Sequence, residues 1–257
     1  MTAGALIARK EIVDHLRDVR SMLSAIMMAL LGPGVVFLVS LSGRTRGEEG
    51  EAVLLGMLSV FALVASFSGA AGVAMDSTAG ERERRSLVPL LLNPVSAREI
   101  VIGKWMAVTL LAIAAVLINT LGLSLVLSWA APSAFARRGV QLAVWVGLGL
   151  LPLAALGAAI NLFVALSCRT TKEAYTASTM LAFLPMVIGM FLVFFPSWIG
   201  RVWFVLPIAG QQALIGLREP SVPLVPAAIL SIVTASATIL PLAGAARVLG
   251  RSDVLSA

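Results

Sequence analysis

Residues 105–129 read WMAVTLLAIAAVLINTLGLSLVLSW, an uncharged run longer than the roughly 20 residues that an α-helix needs to cross a bilayer. Further uncharged runs of similar size occur along the 257-residue chain. They cover residues 22–42, 52–75, 140–167, 174–196 and 224–246. The sequence therefore predicts an all-α polytopic membrane protein, with six transmembrane helices in a single transmembrane domain that spans residues 1–257.

The composition excludes an ordinary soluble domain. Hydrophobic residues make up 59% of the chain and charged residues 12%, and the mean hydropathy is +0.99. A soluble domain carries roughly 25% charged residues, which coat its surface. The net charge of +6 comes from Lys and Arg that lie between the apolar runs. Such residues orient a chain in the membrane and contact anionic headgroups, so we expect membrane lipid, and not nucleic acid, as their partner.

The distribution of basic residues predicts the orientation. With the N-terminus in the cytoplasm, most of the 19 Lys and Arg residues fall on the cytoplasmic side. We therefore expect a multi-pass protein of the cytoplasmic (inner) membrane with both termini cytoplasmic. The apolar segment 201–218 is short and is interrupted by Pro207, Gln211 and Gln212. It predicts a re-entrant extracytoplasmic helical hairpin, because a seventh span would place the basic C-terminus outside.

Residues 1–21 precede the first span and predict an amphipathic helix. Apolar residues recur at helical spacing on one face, among them Ile12, Leu16 and Val19, while charged residues such as Arg17 fall largely elsewhere. Such a helix can lie along the cytoplasmic headgroups. The alternative is a solvated leader.

Several kinds of chemistry are missing from the sequence. No ionisable residue falls well inside a predicted span, although proton-coupled carriers keep buried carboxylates or histidines there. The single histidine, His15, lies in the leader. The pair Gly103–Lys104 is followed by Trp105 and lacks the glycine pattern of a phosphate-binding loop. We therefore expect no enzyme activity, and no cofactor or metal, in this chain.

The polar residues within the predicted spans include Asn119, Thr120 and Asn161. They are candidates to line a transport path. Hydrogen bonding between helices is the commoner role of such residues. Both interpretations stay open at this point.

The connection over residues 76–104 contains the largest cluster of charge. Its first part reads DSTAGERERRSLVPLLLNPVS over residues 76–96, with five consecutive charges at 81–85. Each charge would cost about 2.5–3.5 kcal/mol at the bilayer centre, so this segment must lie outside the hydrocarbon. The apolar stretch 86–92 and a turn at Pro94 follow the charges. This order is typical of a docking element for a cytoplasmic partner, although a solvated connector is the simpler alternative.

That stretch, followed by REIVIGKW at residues 98–105, resembles the loop between the second and third spans of ABC type-2 exporter permeases. It is most similar to the branch that includes sodium-efflux permeases. The resemblance implies a permease subunit of an ATP-binding-cassette exporter, whose loop forms a coupling helix in a cleft of the ATPase. By motif position, the ATPase-coupling residues are Glu81, Arg82, Arg85, Leu87, Leu90, Leu91 and Pro94. The leader then corresponds to the connecting helix, with Ile12, Leu16, Arg17 and Val19.

The resemblance also implies the partners. These are two cytoplasmic ABC ATPase subunits, which carry ATP and Mg, and a second permease subunit, identical or homologous. The chain departs from the pattern at Val88, where relatives often have Glu. Its connection at 43–51 is short, whereas many relatives have a large extracytoplasmic domain there, which weakens the transfer of sodium as substrate. An ATP-independent carrier or channel and a non-transporting membrane scaffold are the alternative functions.

Overall fold

The computed structural model describes residues 2–42, 48–84, 95–133, 135–136, 142, 144–195, 205–215 and 224–250. Within these ranges all regular structure is helical. Six helical stretches of the described residues are long and apolar enough to cross a membrane. They are Ser21–Leu41, Gly50–Glu83, Ala97–Ala130, Trp145–Ser167, Thr171–Phe194 and Leu224–Leu249. The predicted all-α fold with six transmembrane helices is confirmed.

The α-helices, in chain order, are α1 (Ala3–Arg17), α2 (Val19–Leu41), α3 (Glu48–Ser68), α4 (Ala71–Met75), α5 (Glu81–Glu83), α6 (Ala97–Ala130), α7 (Leu151–Ser167), α8 (Thr171–Phe194), α9 (Ala209–Ile215), α10 (Leu224–Ala237) and α11 (Ile239–Leu249). Two π-helical segments, Asp76–Gly80 and Trp145–Leu150, connect α4 to α5 and lead into α7. Helix α7 lies at the centre and packs against α3, α6, α8, α10 and α11.

The long helix α6 begins earlier than the sequence suggested. Ser96 Oγ accepts a hydrogen bond from the Glu99 backbone N–H at 3.3 Å, and the Glu99 carboxylate accepts one from the Ser96 backbone N–H at 2.9 Å. This reciprocal capping box satisfies backbone donors of the first helical turn. Because Asp76–Glu83 is helical as well, the predicted loop 76–104 is helical at both ends. Lys104 therefore lies two turns inside a helix.

The leader forms α1, which packs against the start of α6. The two backbones touch: a Cβ on Gly103 would come within 2.6 Å of the Gly4 carbonyl oxygen. The buried positions of α1 are Gly4, Ile7, Ala8 and Glu11. Leu16, which lies on the face that the sequence predicts to be apolar, is exposed. Contact with α6 thus uses Gly4, Ile7 and Glu11, which lie beside that apolar stripe.

The described part of the predicted re-entrant segment is packed inside the bundle. Gln211 and Gln212, on α9, are buried. The Gln212 side chain donates to Ser59 Oγ on α3 at 2.9 Å, and that of Gln211 donates to Thr234 Oγ1 on α10 at 3.1 Å. Ser59 lies about 16 Å along α3 from its start, at 1.5 Å per residue. This depth agrees with a re-entrant segment whose backbone is satisfied by protein.

Candidate functional site

A buried lysine joins three separate elements at the end of the second span. Lys104 is 1% exposed and its Nζ donates to Glu11 Oε1 and to Glu81 Oε2, both at 2.8 Å. It also donates to the Ser77 carbonyl oxygen at 2.6 Å. We call Lys104, Glu11 and Glu81 the Lys104 cluster. The cluster connects α1, α6 and the π-helical segment that continues into α5.

A second lysine, Lys10, lies at the surface and contacts the same two carboxylates. Lys10 Nζ lies 3.2 Å from Glu81 and 3.4 Å from Glu11, and its side chain is 54% exposed. Burial lowers the pKa of Lys10, but the two carboxylates outweigh this effect and the net pKa is raised. Both ammonium groups therefore contact the carboxylates of Glu11 and Glu81, and only that of Lys104 is buried; Lys10 also lies 3.8 Å from the exposed Asp14 carboxylate.

The fixed geometry matters more here than any gain in stability. Burying an ion pair costs desolvation free energy of about the same size as the attraction, so the pair adds little net stability. Removing one member leaves an uncompensated buried charge and is strongly destabilising. The Lys104 cluster therefore holds α1 and α6 in one register relative to the end of the second span.

The next two residues bind two further helices. The Arg82 guanidinium donates to the carbonyl oxygens of Cys168 at 2.7 Å and Leu166 at 2.9 Å, where α7 ends. The Glu83 carboxylate accepts from the Thr171 backbone N–H at 3.1 Å and from its hydroxyl at 2.8 Å, where α8 begins. A cation at a helix C-terminus and an anion at an N-terminus both complement the helix dipole. The short helix Glu81–Glu83 thus contacts α1, α6, α7 and α8.

The predicted coupling residues divide into two groups. Glu81 and Arg82 bind the chain's own helices, so their side chains fix the short helix Glu81–Glu83 to the helical bundle. Direct contact of either residue with an ATPase stays a prediction. The others lie outside the described residues, as does the departure at position 88: they are Arg85, Leu87, Leu90, Leu91 and Pro94.

The predicted connecting-helix residues lie on or just after α1. Ile12 is partly buried, whereas Leu16, Arg17 and Val19 are exposed. Exposed apolar side chains are available for membrane contact, in keeping with an interfacial helix. Their position at the headgroups stays a prediction.

The predicted path-lining residues differ in their hydrogen bonding. Asn161 donates to the Phe67 carbonyl oxygen at 3.0 Å and accepts from Ser178 Oγ at 2.7 Å, so it joins α3, α7 and α8. This network favours a packing role for Asn161. Asn119 donates to the Ala29 carbonyl oxygen at 2.8 Å, but its Oδ1 is buried and has no hydrogen-bond partner among the described residues. Thr120 Oγ1 is also buried and lacks a partner within the described part of the chain.

Sequence reasoning missed Glu11 and Lys104 as a site. Lys104 was assigned to a loop, although Ser96 and Glu99 have the spacing of a capping box and would have started the helix before it. Glu11 lies 93 residues away along the chain, and no local pattern pairs it with Lys104. The buried pair Gln211 and Gln212 was noted only as an interruption.

Comparisons with known proteins identify the family of the chain. The family model described as "ABC-2 family transporter protein" matches residues 5–199, which include the whole Lys104 cluster. The chain belongs to the ABC-2 transporter family. This ABC-2 protein is also similar to the "ABC transporter permease protein NatB" of Bacillus subtilis (strain 168), with 30% identity over 190 residues. That match covers 68% of the chain and 48% of NatB, so the chain spans about half the length of this curated relative.

Membership in the family confirms the resemblance that residues 76–105 suggested. The ABC-2 protein is a transmembrane component of an ABC transporter, and its six apolar helices agree with that assignment.

Proposed function

We propose that the chain is the permease subunit of an ATP-binding-cassette exporter in the cytoplasmic membrane, with both termini in the cytoplasm. Two ATPase subunits bind ATP and Mg, and a second permease subunit, identical or homologous, completes the transporter. The observation that carries the proposal is the anchored turn Glu81–Glu83. Its side chains bond to four other helices immediately before the segment that resembles an ATPase-docking loop.

The anchored turn supports a transmission role because its contacts are short and charge-assisted. The hydrogen bonds of 2.7–2.9 Å from Arg82 and Lys104 restrict movement of the turn relative to the bundle. Coupling between distant sites is carried by rigid elements and by hydrogen-bond networks of this kind. A displacement of residues 85–94 by an ATPase would therefore move the ends of α1, α6, α7 and α8 together. The resulting change in the spans would alter access to the substrate path.

Purification from native membranes tests the proposal. The affinity-tagged chain is expected to co-purify with an ATP-hydrolysing subunit, and the complex is expected to hydrolyse ATP in proteoliposomes. The double substitution Arg85→Glu and Leu90→Asp should prevent assembly, because both positions fall in the docking segment. Arg82→Gln should leave assembly intact and reduce ATP turnover that is coupled to transport, because it loosens the anchor.

Leu121→Ala is the matched control. Leu121 lies on α6 and is 66% exposed, remote from the anchored turn, so assembly and turnover should remain at wild-type levels. The proposal fails if the tagged chain captures no ATPase. It also fails if the docking variant assembles and turns over like the control.

A further inference from the structure

A cavity of about 580 Å³ lies between α2, α3 and α8. Its walls are mainly apolar and include Met28, Leu31, Phe61 and Val64. Its lining residues on α2 fall between positions 21 and 32, which corresponds to roughly 16 Å of helix. The cavity is thus long and apolar, and its volume is typical of sites that hold small organic molecules.

The cavity opens at the side of the helical bundle. Met28 and Leu31 on the first span and Thr179 on the fifth span line the cavity and are exposed. Met28 and Thr179 lie about 10–12 Å along the helix from the beginning of their spans, so the opening is at membrane depth. A ligand that enters there comes from the bilayer. Because a charge at this depth is costly, the opening favours an uncharged molecule.

The charged residues at one end of the cavity do not select a charged ligand. The Asp76 carboxylate is attracted by the Arg84 guanidinium and accepts a hydrogen bond of 3.5 Å from the Tyr175 hydroxyl. Asp18 also has an interaction partner. No Lys or Arg lines the cavity within the described part of the chain. The lining thus provides no specific anchor for a cation or an anion, in agreement with entry from the bilayer.

A buried acceptor in the cavity wall lacks a hydrogen-bond partner. The hydroxyl groups of Ser68, Ser178 and Thr179, which also line the cavity, already donate hydrogen bonds of 2.7–2.8 Å within the chain. Asn119 is only 1% exposed, and its Oδ1 has no partner among the described residues. Buried polar atoms are nearly always hydrogen-bonded, so a donor on a bound molecule would satisfy this one.

A proline fixes the orientation of the Asn119 amide. Pro33 lies inside α2 and has no backbone N–H, so the Ala29 carbonyl oxygen, four residues earlier, loses its usual α-helical donor. Asn119 Nδ2 donates to that oxygen at 2.8 Å. A rotated amide would place Oδ1 against the Ala29 oxygen and break this hydrogen bond. The Asn119 oxygen therefore stays free to accept from a ligand.

We propose that this cavity binds an uncharged, membrane-soluble organic molecule that carries a neutral hydrogen-bond donor, such as a hydroxyl group. The molecule enters from the bilayer, its apolar body lies along Met28, Phe61 and Val64, and its donor bonds to Asn119 Oδ1. This inference rests on the proposed export function and names the class of its substrate.

Two benzophenones test the proposal, because light attaches them covalently to nearby C–H bonds and mass spectrometry locates the attachment. Hydroxymethylbenzophenone carries a donor, whereas its methyl ether has a similar apolar body and no donor. The protein as purified from membranes, with whatever subunits accompany it, is reconstituted into liposomes without nucleotide. Labelling is measured against the concentration of each probe in the bilayer.

We expect saturable labelling of cavity residues such as Met28 by both probes. Half-saturation should occur at an about fivefold lower concentration of the alcohol, because one neutral hydrogen bond contributes about that factor in affinity. Equal half-saturation for the two probes, or the absence of saturable labelling in the cavity, would overturn the proposal without any variant.

Substitution of Asn119 tests the role of the acceptor. Asn119→Leu should remove the preference for the alcohol, while binding of the ether persists and shows that the variant is folded. Thr109→Val is the matched control: Thr109 Oγ1 on the same helix is also buried and lacks a partner within the described residues, but Thr109 does not line the cavity. This control should keep the preference. An Asn119→Leu variant that still prefers the alcohol would contradict the assignment.

Filling the cavity tests its location. Ala65→Phe places a ring in the cavity and should abolish saturable labelling by both probes. Ala114→Phe adds the same ring at an exposed position of α6 that does not line the cavity, and should leave labelling unchanged. Saturable labelling of Met28 that persists in Ala65→Phe would place the bound probe elsewhere and contradict the proposal.

The outcomes separate this inference from the proposed function. A preference for the alcohol in a protein that captures no ATPase would contradict the export function but support the class of ligand. An assembled, ATP-hydrolysing complex without this preference would contradict the inference alone.

Discussion

Replacement of Lys104 by Met tests the Lys104 cluster most severely. The substitution keeps a side chain of similar length but removes an ammonium group that makes three hydrogen bonds of 2.6–2.8 Å. The carboxylates of Glu11 and Glu81 have side-chain exposures of only 8% and 12%, so water replaces the lost partner poorly. Breaking a buried ion pair from one side costs about 3–5 kcal/mol of unfolding free energy.

The chain contains a matched control for this experiment. Lys10 contacts the same two carboxylates at 3.2 and 3.4 Å, but its side chain is 54% exposed. An exposed ion pair contributes about 0–1 kcal/mol, so Lys10→Met should have a small effect. The two variants therefore remove an ammonium group from the same two carboxylates; they differ in its burial, in the Ser77 hydrogen bond that only Lys104 makes and in the Asp14 contact that only Lys10 makes.

Thermal denaturation of the detergent-solubilised protein, followed by the loss of the monodisperse peak in size-exclusion chromatography, measures the difference. At about 2–4 °C per kcal/mol, Lys104→Met should lower the midpoint by roughly 6–20 °C and Lys10→Met by no more than about 4 °C. Adding Glu11→Gln and Glu81→Gln to Lys104→Met should recover much of the loss, because no buried charge then lacks a partner. Equal midpoints for the two single Lys variants would refute this reasoning.

Three further predictions address other parts of the bundle. Arg82→Gln should lower the unfolding free energy by about 1.5–3 kcal/mol, because charged hydrogen bonds to the end of α7 are lost. Thermal denaturation compares this variant with Arg84→Gln, which changes an exposed residue and should cost less than about 0.5 kcal/mol. Gly157→Ala should destabilise by about 1–3 kcal/mol, because its Cβ would come within 2.5 Å of an α3 carbonyl oxygen, while Gly147→Ala, which meets nothing within 4 Å, should not lower the melting midpoint in this way. Burial lowers the pKa of His15, so the unfolding free energy should fall as the pH drops through about 6.5 and level off below the folded-state pKa. A His15→Gln variant should lack this step in the melting midpoint, and an unchanged step would show that His15 does not cause it.

The architecture was largely predictable because the bilayer sets a length that uncharged runs must match. Residues 105–129 illustrate this: the run alone predicts a span, and the structure adds two helical turns before it. Those two turns were missed because the insertion cost of Lys104 argues against placing it in a span. The cost is offset by Glu11 and Glu81, which come from other helices and which no local pattern reveals.

The candidate sites also depend on partners from other helices, which no local sequence pattern reveals. The sequence marks Asn119 and Asn161 as equally polar positions within apolar runs. In the structure both the nitrogen and the oxygen of the Asn161 amide are hydrogen-bonded, while the Asn119 oxygen has no hydrogen-bond partner among the described residues. Packing partners decide which of the two is available to a ligand, and packing depends on contacts between distant segments. The sequence marks the charges at 81–85 as a docking element, whereas the bonds of Arg82 and Glu83 to α7 and α8 depend on contacts between distant segments.

Site-specific photocrosslinking from residue 90 tests the central claim most directly. A photoreactive amino acid replaces Leu90, within the proposed docking segment, or the exposed Leu121 on α6 as the control, and the protein is irradiated in native membranes. The account predicts a crosslink between position 90 and an ATPase subunit that changes in yield when ATP is added, and no such crosslink from position 121. Crosslinks from position 90 only to lipid or to the chain itself would contradict the claim that this segment couples an ATPase to the membrane helices.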